Sequence, residues 1–322
     1  MTPFQKNRFK QIAAIENAIQ ISINGLPQRE EPDYIAYLTN NLPTELQKVL
    51  GAGYNVASVF LHQRPLANII NPSNTTGKKP EIGDLLLVYN ENSQYNALLL
   101  QAKKGSVNTP FPVSNGDMHQ LELYEKWPMF EYAKPRNLNG KYINVSPKIA
   151  HPGAQYLVID DNQSNIVQLG CANASATISV SKCFSEAIYD LIHFQTGRTI
   201  APYKKRRYNN WTTLIWDLIL LSQKGLYNRK NINCKNIPRL NDPNHAFLCL
   251  LKSCFFDVNE VGDVANIMSH WPRRVRLYSR GRGYYIDHPD YELNPDDVDN
   301  DDGGGIGVNV IFIQKKTEEE LF

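Results

Sequence analysis

The sequence predicts an α/β sandwich, a small mixed sheet flanked by helices. Three observations carry this. Stretches with apolar residues every third or fourth position alternate with short apolar runs of strand length. Two of those runs, IGDLLLVY and NALLLQAKK, are separated only by a polar, Asn-rich turn and read as a hairpin. The order that results is helix, strand, hairpin, helix, strand, helix, which builds a layered α/β fold.

Residues 4 to 24 place Phe9, Ile12, Ile15, Ile19 and Ile23 on one helical face. A short second helix is expected after Pro43, through about Leu50, ending at the glycines of GAGY. NVASVFLH reads as a strand, and the loop NPSNTTGKKP separates it from the hairpin. A helical pattern spans about Asp117 to Tyr132, YLVID is a buried strand, and IVQLG is its expected partner. Ser181 is the expected N-cap of a helix through SKCFSEAIYDLIHFQ, stopped by Gly197. The core therefore covers residues 1–200. Residues 201–322 form a C-terminal extension, either a second domain or an elaboration of the first. It holds expected helices near 211–224 and 244–257 and a final strand, GVNVIFIQ.

The 322 residues suffice for one large domain or two modest ones, and 42% apolar with 20% charged residues is ordinary for a globular chain. MTPFQKNRFK lacks the apolar region of a secretory signal, and the most apolar run, LIWDLILL, is short and carries Asp217. Five cysteines, an odd number, read as reduced thiols. A cytoplasmic protein with no membrane partner is expected. The net charge of +2 decides nothing, but its distribution is uneven. Lys204 and Lys205 open a basic stretch. Arg273, Arg274 and Arg276 belong to a second one, interleaved with Tyr278 and followed by an acidic run from Asp287 to Asp302. Basic residues among aromatics contact phosphates and stack on bases, so these five are the expected nucleic-acid contacts. The plainer reading is a solvated face partly neutralised by the acidic run.

The hairpin carries the chemistry. Side chains alternate along a strand, so Asp84 shares a face with Leu86 and Val88, and Gln101 shares one with Lys103. A turn centred between Asn92 and Ser93 sets residue 84 opposite residue 101, and opposed residues project from the same face. Asp84, Gln101 and Lys103 then converge. A carboxylate is a hard ligand for Mg²⁺ or Mn²⁺, and the Gln101 amide oxygen or the Ala102 carbonyl supplies further oxygens. An adjacent lysine orients a water or stabilises developing negative charge.

PEIGD, a hairpin and QAK together resemble the PD-(D/E)xK nuclease superfamily, with Gln101 in place of the usual acid, as in Mrr-type members. Gln120 and Tyr124 on the following helix match the QxxxY pattern of RecB-like members and lie on one helical face. The resemblance covers about residues 10 to 195. It implies a restriction-endonuclease-like core and a Mg²⁺- or Mn²⁺-dependent nuclease. DNA is the expected substrate ahead of RNA, in defence or DNA processing. A second copy of the chain or a defence-system protein is the expected protein partner. The family's initial helix often bears a Glu near the metal, a role that falls to Glu16, with Glu45 behind it. Two rival readings are a catalytically silent nucleic-acid-binding subunit, which Gln101 favours, and a protein-interaction scaffold.

Other features carry less. Glu81 lies three residues before Asp84, on the opposite strand parity. His119 reads as an exposed helix histidine. The cysteines lack zinc spacing, Asp297 to Asp302 departs from a calcium loop at the glycine and final glutamate, and GGGIG is a turn.

Overall fold

The first helix starts with a full set of signals. Thr2 accepts from the Gln5 amide, the Gln5 side chain accepts from the Thr2 amide, and Pro3 opens α1 (Pro3–Ile23). The structure is a computed structural model. It describes residues 2–24, 30–61, 64–73, 77–135, 138, 140–146, 148, 153–162, 166–203, 205, 210–227 and 306–316, with side chains of 223–227 left out.

The second helix is longer than its sequence suggests. α2 runs from Glu31 to Leu50, with Pro43 inside it instead of at its start. A mid-helix proline leaves the carbonyl four residues earlier without its N–H. Here that carbonyl, Thr39 O, accepts the Ser58 hydroxyl at 2.6 Å. The buried stripe Tyr34, Ile35, Leu38, Leu42 and Leu46 continues across the proline and holds the helix on the sheet.

Then follow β1 (Tyr54–Val59), β2 (Leu66–Ile69), β3 (Leu85–Glu91), β4 (Gln94–Lys104), β5 (Phe111–Pro112) and α3 (Met118–Lys126). They are succeeded by β6 (Phe130–Lys134), β7 (Tyr142–Ile143), β8 (Ala154–Asp160), β9 (Gln168–Ala172), β10 (Thr177–Ile178) and β11 (Val180–Cys183). The last elements are α4 (Phe184–Ile192), β12 (Arg198–Ile200), α5 (Asn210–Tyr227) and β13 (Asn309–Lys315). α3 stops short of Tyr132 because Trp127 takes a left-handed conformation, φ 43°, and Pro128 follows. α4 starts later than expected because Ser181 lies in β11, donating its hydroxyl to Cys171 O at 3.1 Å, and the N-cap falls to Cys183.

The main sheet is mixed and eight-stranded, in the order β1-β13-β3-β4-β8-β9-β11, with β12 pairing the start of β4. β13/β3 and β4/β8 are parallel; the other pairs are antiparallel. One face packs α1, α2 and α4 against Leu85, Leu87, Leu98, Leu100 and Ala102. The other carries α3, α5 and the three-stranded β2-β6-β7 sheet against Leu86, Val88, Ala97 and Leu99. Helices on both faces of a mixed sheet make the α/β sandwich. The expected break at residue 200 does not divide this core. α5 packs into it, and β13 lies inside the sheet, between β1 and β3. The helix expected near 244–257 lies outside the described residues. Among the described residues, no helix is long and apolar enough to cross a membrane.

Candidate active site

The β3–β4 hairpin has the register its sequence implies. Glu91 faces Gln94 and Leu85 faces Leu100, so the pairing extends to residues 84 and 101. Asn92 and Ser93 both have positive φ, 50° and 62°, as a two-residue turn matched to the strand twist requires. Asp84 enters the site from a loop tied to residues 64–67: Ile82 donates to Pro65 O and Ala67 to Pro80 O, both at 2.9 Å. Gly83 has no room for a side chain, since a Cβ there would meet Leu99 Cδ1 at 2.6 Å and the Tyr124 hydroxyl at 3.0 Å.

Asp84, Gln101 and Lys103 are brought together, all nine-tenths buried or more. Asp84 Oδ2 accepts from Gln101 Nε2 and from the Ala102 amide at 2.8 Å. Its other oxygen, Oδ1, accepts from Arg64 Nε at 3.3 Å, and Arg64 also donates to Leu61 O. Asn309 on β13 fixes the backbone beneath: its Nδ2 donates to Asp84 O at 2.9 Å, and its Oδ1 accepts the Leu61 amide at 2.7 Å. Ala102 directs its methyl into the core under α2. Lys103 Nζ sits 2.9 Å from Asp117 Oδ1, and Asp117 Oδ2 accepts from Ser114 Oγ at 2.6 Å. Burial raises the Asp117 carboxyl, but the bonds from Lys103 and Ser114 outweigh it and hold it below the usual range.

α3 crosses the same face. Gln120 is buried, and Tyr124 donates to Ile82 O at 2.8 Å while its ring stacks on Tyr156. Burial raises the Tyr124 phenol far above its usual value, with the Asp84 charge adding to it. His119 is half-buried, and burial lowers its imidazole; Asp117 opposes the shift, and Lys78 and Lys103 reinforce it.

The helix acid at the site is Glu31, not Glu16. Glu16 sits midway along α1, where its carboxylate accepts from Gln20 Nε2, which also donates to Val167 O beside β9. Glu45 pairs with Lys48 at 2.7 Å on α2. Glu31, in the first turn of α2, accepts the Lys104 amide at 2.7 Å, at the end of the QAK strand. Burial raises its carboxyl, and the charges of Asp84 and Asp117 push the same way. Glu81 also belongs to this neighbourhood. Parity does not exclude it, because β3 begins only at Leu85. Burial and the Asp84 charge raise its carboxyl.

Among the expected nucleic-acid contacts, Lys205 is exposed; Lys204, Arg273, Arg274 and Arg276 lie outside the described residues. Among the described residues, no group of three or more His, Cys, Asp or Glu is placed to hold a metal ion. Sequence reading misses Arg64, Asp117, Glu31 and Asn309. The one available signal is charge at Arg64, an isolated ionic residue next to apolar runs; Glu31 is one of several charged residues from Arg29 to Asp33. Comparison with protein-family models, with curated proteins and with solved structures finds no match.

Proposed function

We propose that the chain is a metal-dependent nuclease of the PD-(D/E)xK type, hydrolysing DNA ahead of RNA, in a defence or DNA-processing role. The observation that carries this reading is the Asp84–Gln101–Lys103 convergence, with the Ala102 amide on Asp84. Three further features support it. A helix and parallel strand, α3 and β8, follow the QAK strand, and α3 sets Gln120 and Tyr124 over the same face. Glu31 supplies the helix acid that the resemblance implies. The Asp84 charge adds to burial in raising the carboxyls of Glu31 and Glu81, a repulsion that a cation relieves.

The donors fit a hard divalent cation. Gln101 Oε1 is buried beside a carboxylate and has no hydrogen-bond partner among the described residues. Mg²⁺ needs only one or two carboxylates, keeping waters at its other positions. Asp84 and Gln101 are the residues to hold it. Bound there, the ion supplies Lewis-acid polarisation of a phosphoryl oxygen and an acidified water. Lys103, fixed by Asp117, places an ammonium beside the reacting phosphate and stabilises the charge that develops on it. Arg64 holds Asp84 in place.

A silent nucleic-acid-binding protein is the second reading. It is favoured by Arg64, which already neutralises one Asp84 oxygen, and by Gln101, which removes an anionic ligand. The deciding experiment incubates the protein with supercoiled plasmid, linear DNA and RNA under Mg²⁺, Mn²⁺ or EDTA. Cleavage that needs the metal and is lost in Asp84→Asn supports the nuclease. Binding without cleavage supports the silent reading.

A further inference from the structure

Buried polar atoms in folded proteins are nearly always hydrogen-bonded, so each exception needs a reason. Two exceptions fall on one cross-strand pair of residues. Gln101 is 3% exposed and Tyr156 is fully buried, yet the Gln101 amide oxygen and the Tyr156 hydroxyl have no hydrogen-bond partner in the described protein. The two residues are register partners on the parallel strands β4 and β8. They project from the same face, because Tyr156 packs with Leu121 of α3, whereas Leu157 faces the opposite core. The Tyr156 ring is held without its hydroxyl, parallel to Tyr124 with centroids 5.8 Å apart. Gln101 commits its amide nitrogen to Asp84, which leaves the oxygen free to accept. A phenol offers a donor and an acceptor, and an amide oxygen offers an acceptor.

We propose that Tyr156 is a positioning residue of the site, its hydroxyl and the Gln101 amide oxygen together holding one water, which donates to the amide oxygen. This role rests on the nuclease reading. A ligand held there fixes the Gln101 amide, and through it the Asp84 carboxylate. The Tyr156 ring lies among Val113, Leu121 and Val158, and burial is the main cause of its raised phenol pKa, with the charge of Asp117, the partner of Lys103, adding to it.

Tyr156→Phe tests the proposal, because it keeps the stacked ring and removes only the hydroxyl. In the metal-free protein the thermal midpoint stays level or rises, since the deleted group has no protein partner. The cleavage rate falls by about 10- to 100-fold, as for other groups that orient a ligating residue. Oligonucleotide affinity in EDTA stays unchanged, since the ligand is a water; weaker binding overturns the proposal, because the hydroxyl then contacts the substrate directly. A midpoint lowered by several degrees overturns the proposal, because the hydroxyl is then structural. Equal cleavage rates in parent and variant also overturn it but leave the nuclease reading standing. No metal-dependent cleavage by the parent overturns both.

Discussion

Gln101→Glu restores the acid that the resemblance leads one to expect, and it probes the closest contact in the site. Gln101 Nε2 donates to Asp84 Oδ2 in a buried setting. The substitution replaces that donor with a second carboxylate. Two such charges about 3 Å apart repel by about 5 kcal/mol at an effective dielectric of about 20. Protonation caps the cost: keeping a carboxyl of ordinary pKa near 4.3 neutral at about pH 7 takes about 3.7 kcal/mol. Arg64, 3.3 Å from the other Asp84 oxygen, offsets part of the repulsion. The expected loss is therefore about 2–4 kcal/mol at about pH 7. The introduced carboxyl has a folded pKa above its unfolded one, so the folded state binds the extra proton. The deficit is largest at high pH and shrinks by about 1.4 kcal/mol per pH unit as pH falls towards the unfolded value. Urea unfolding of parent and variant from pH 5 to 8 measures it. Mn²⁺ at about 100 times its Kd returns about 2.7 kcal/mol to the variant. A deficit that ignores pH would refute the Asp84–Gln101 contact. A pH-dependent deficit that Mn²⁺ leaves untouched would keep the contact and discard the metal.

Lys103→Ala is expected to slow cleavage by about 10²–10³, as loss of one preorganised charge does, with little change in DNA affinity. Lys104→Ala is expected to keep the rate and lose stability instead, because Lys104 lies 2.6 Å from the buried Asp161; comparing rates and urea midpoints separates the two lysines. Glu31→Gln is expected to reduce cleavage while Glu16→Gln does not. Because burial raises the Glu31 carboxyl, its ionisation costs the parent stability as pH rises above the ordinary carboxylate range. Glu31→Gln should therefore gain on the parent between pH 4 and 7, and a constant difference would mean Glu31 is solvated. Gly83→Ala drives a methyl to 2.6 Å from Leu99 Cδ1 and should cost about 1–3 kcal/mol in denaturant unfolding. A neutral result would mean the Asp84 approach is looser than described.

What the sequence makes legible is what local arithmetic decides. Strand parity and a two-residue turn are enough to oppose residues 84 and 101, because every quantity involved lies within one hairpin. α2 was not readable in the same way. Pro43 looks like a helix start only while its neighbours alone are considered, and the hydroxyl that repairs the gap comes from Ser58 on β1. GVNVIFIQ reads correctly as a strand, yet nothing local says that it inserts between β1 and β3.

The same distinction runs through the site. Gln101 and Lys103 reach it by strand alternation, and Tyr124 by helical spacing from Gln120. Glu31 reaches it because α2 begins earlier than its proline suggests, and Glu16 misses because its stretch of α1 lies beside α4 and Val167. Asp84 itself depends on distance in sequence. Its side chain leans on Arg64, and its backbone oxygen on Asn309, 225 residues away. Asn309 also takes the Leu61 amide, while Leu61 O takes Arg64, so one buried amide couples the last strand to the loop that holds the arginine. Removing that amide would leave two buried backbone groups unpaired, which ties the placement of the acid to correct insertion of β13. A chain that ended near residue 200 would keep the hairpin and its register but lose the strand that holds the start of β3 in place.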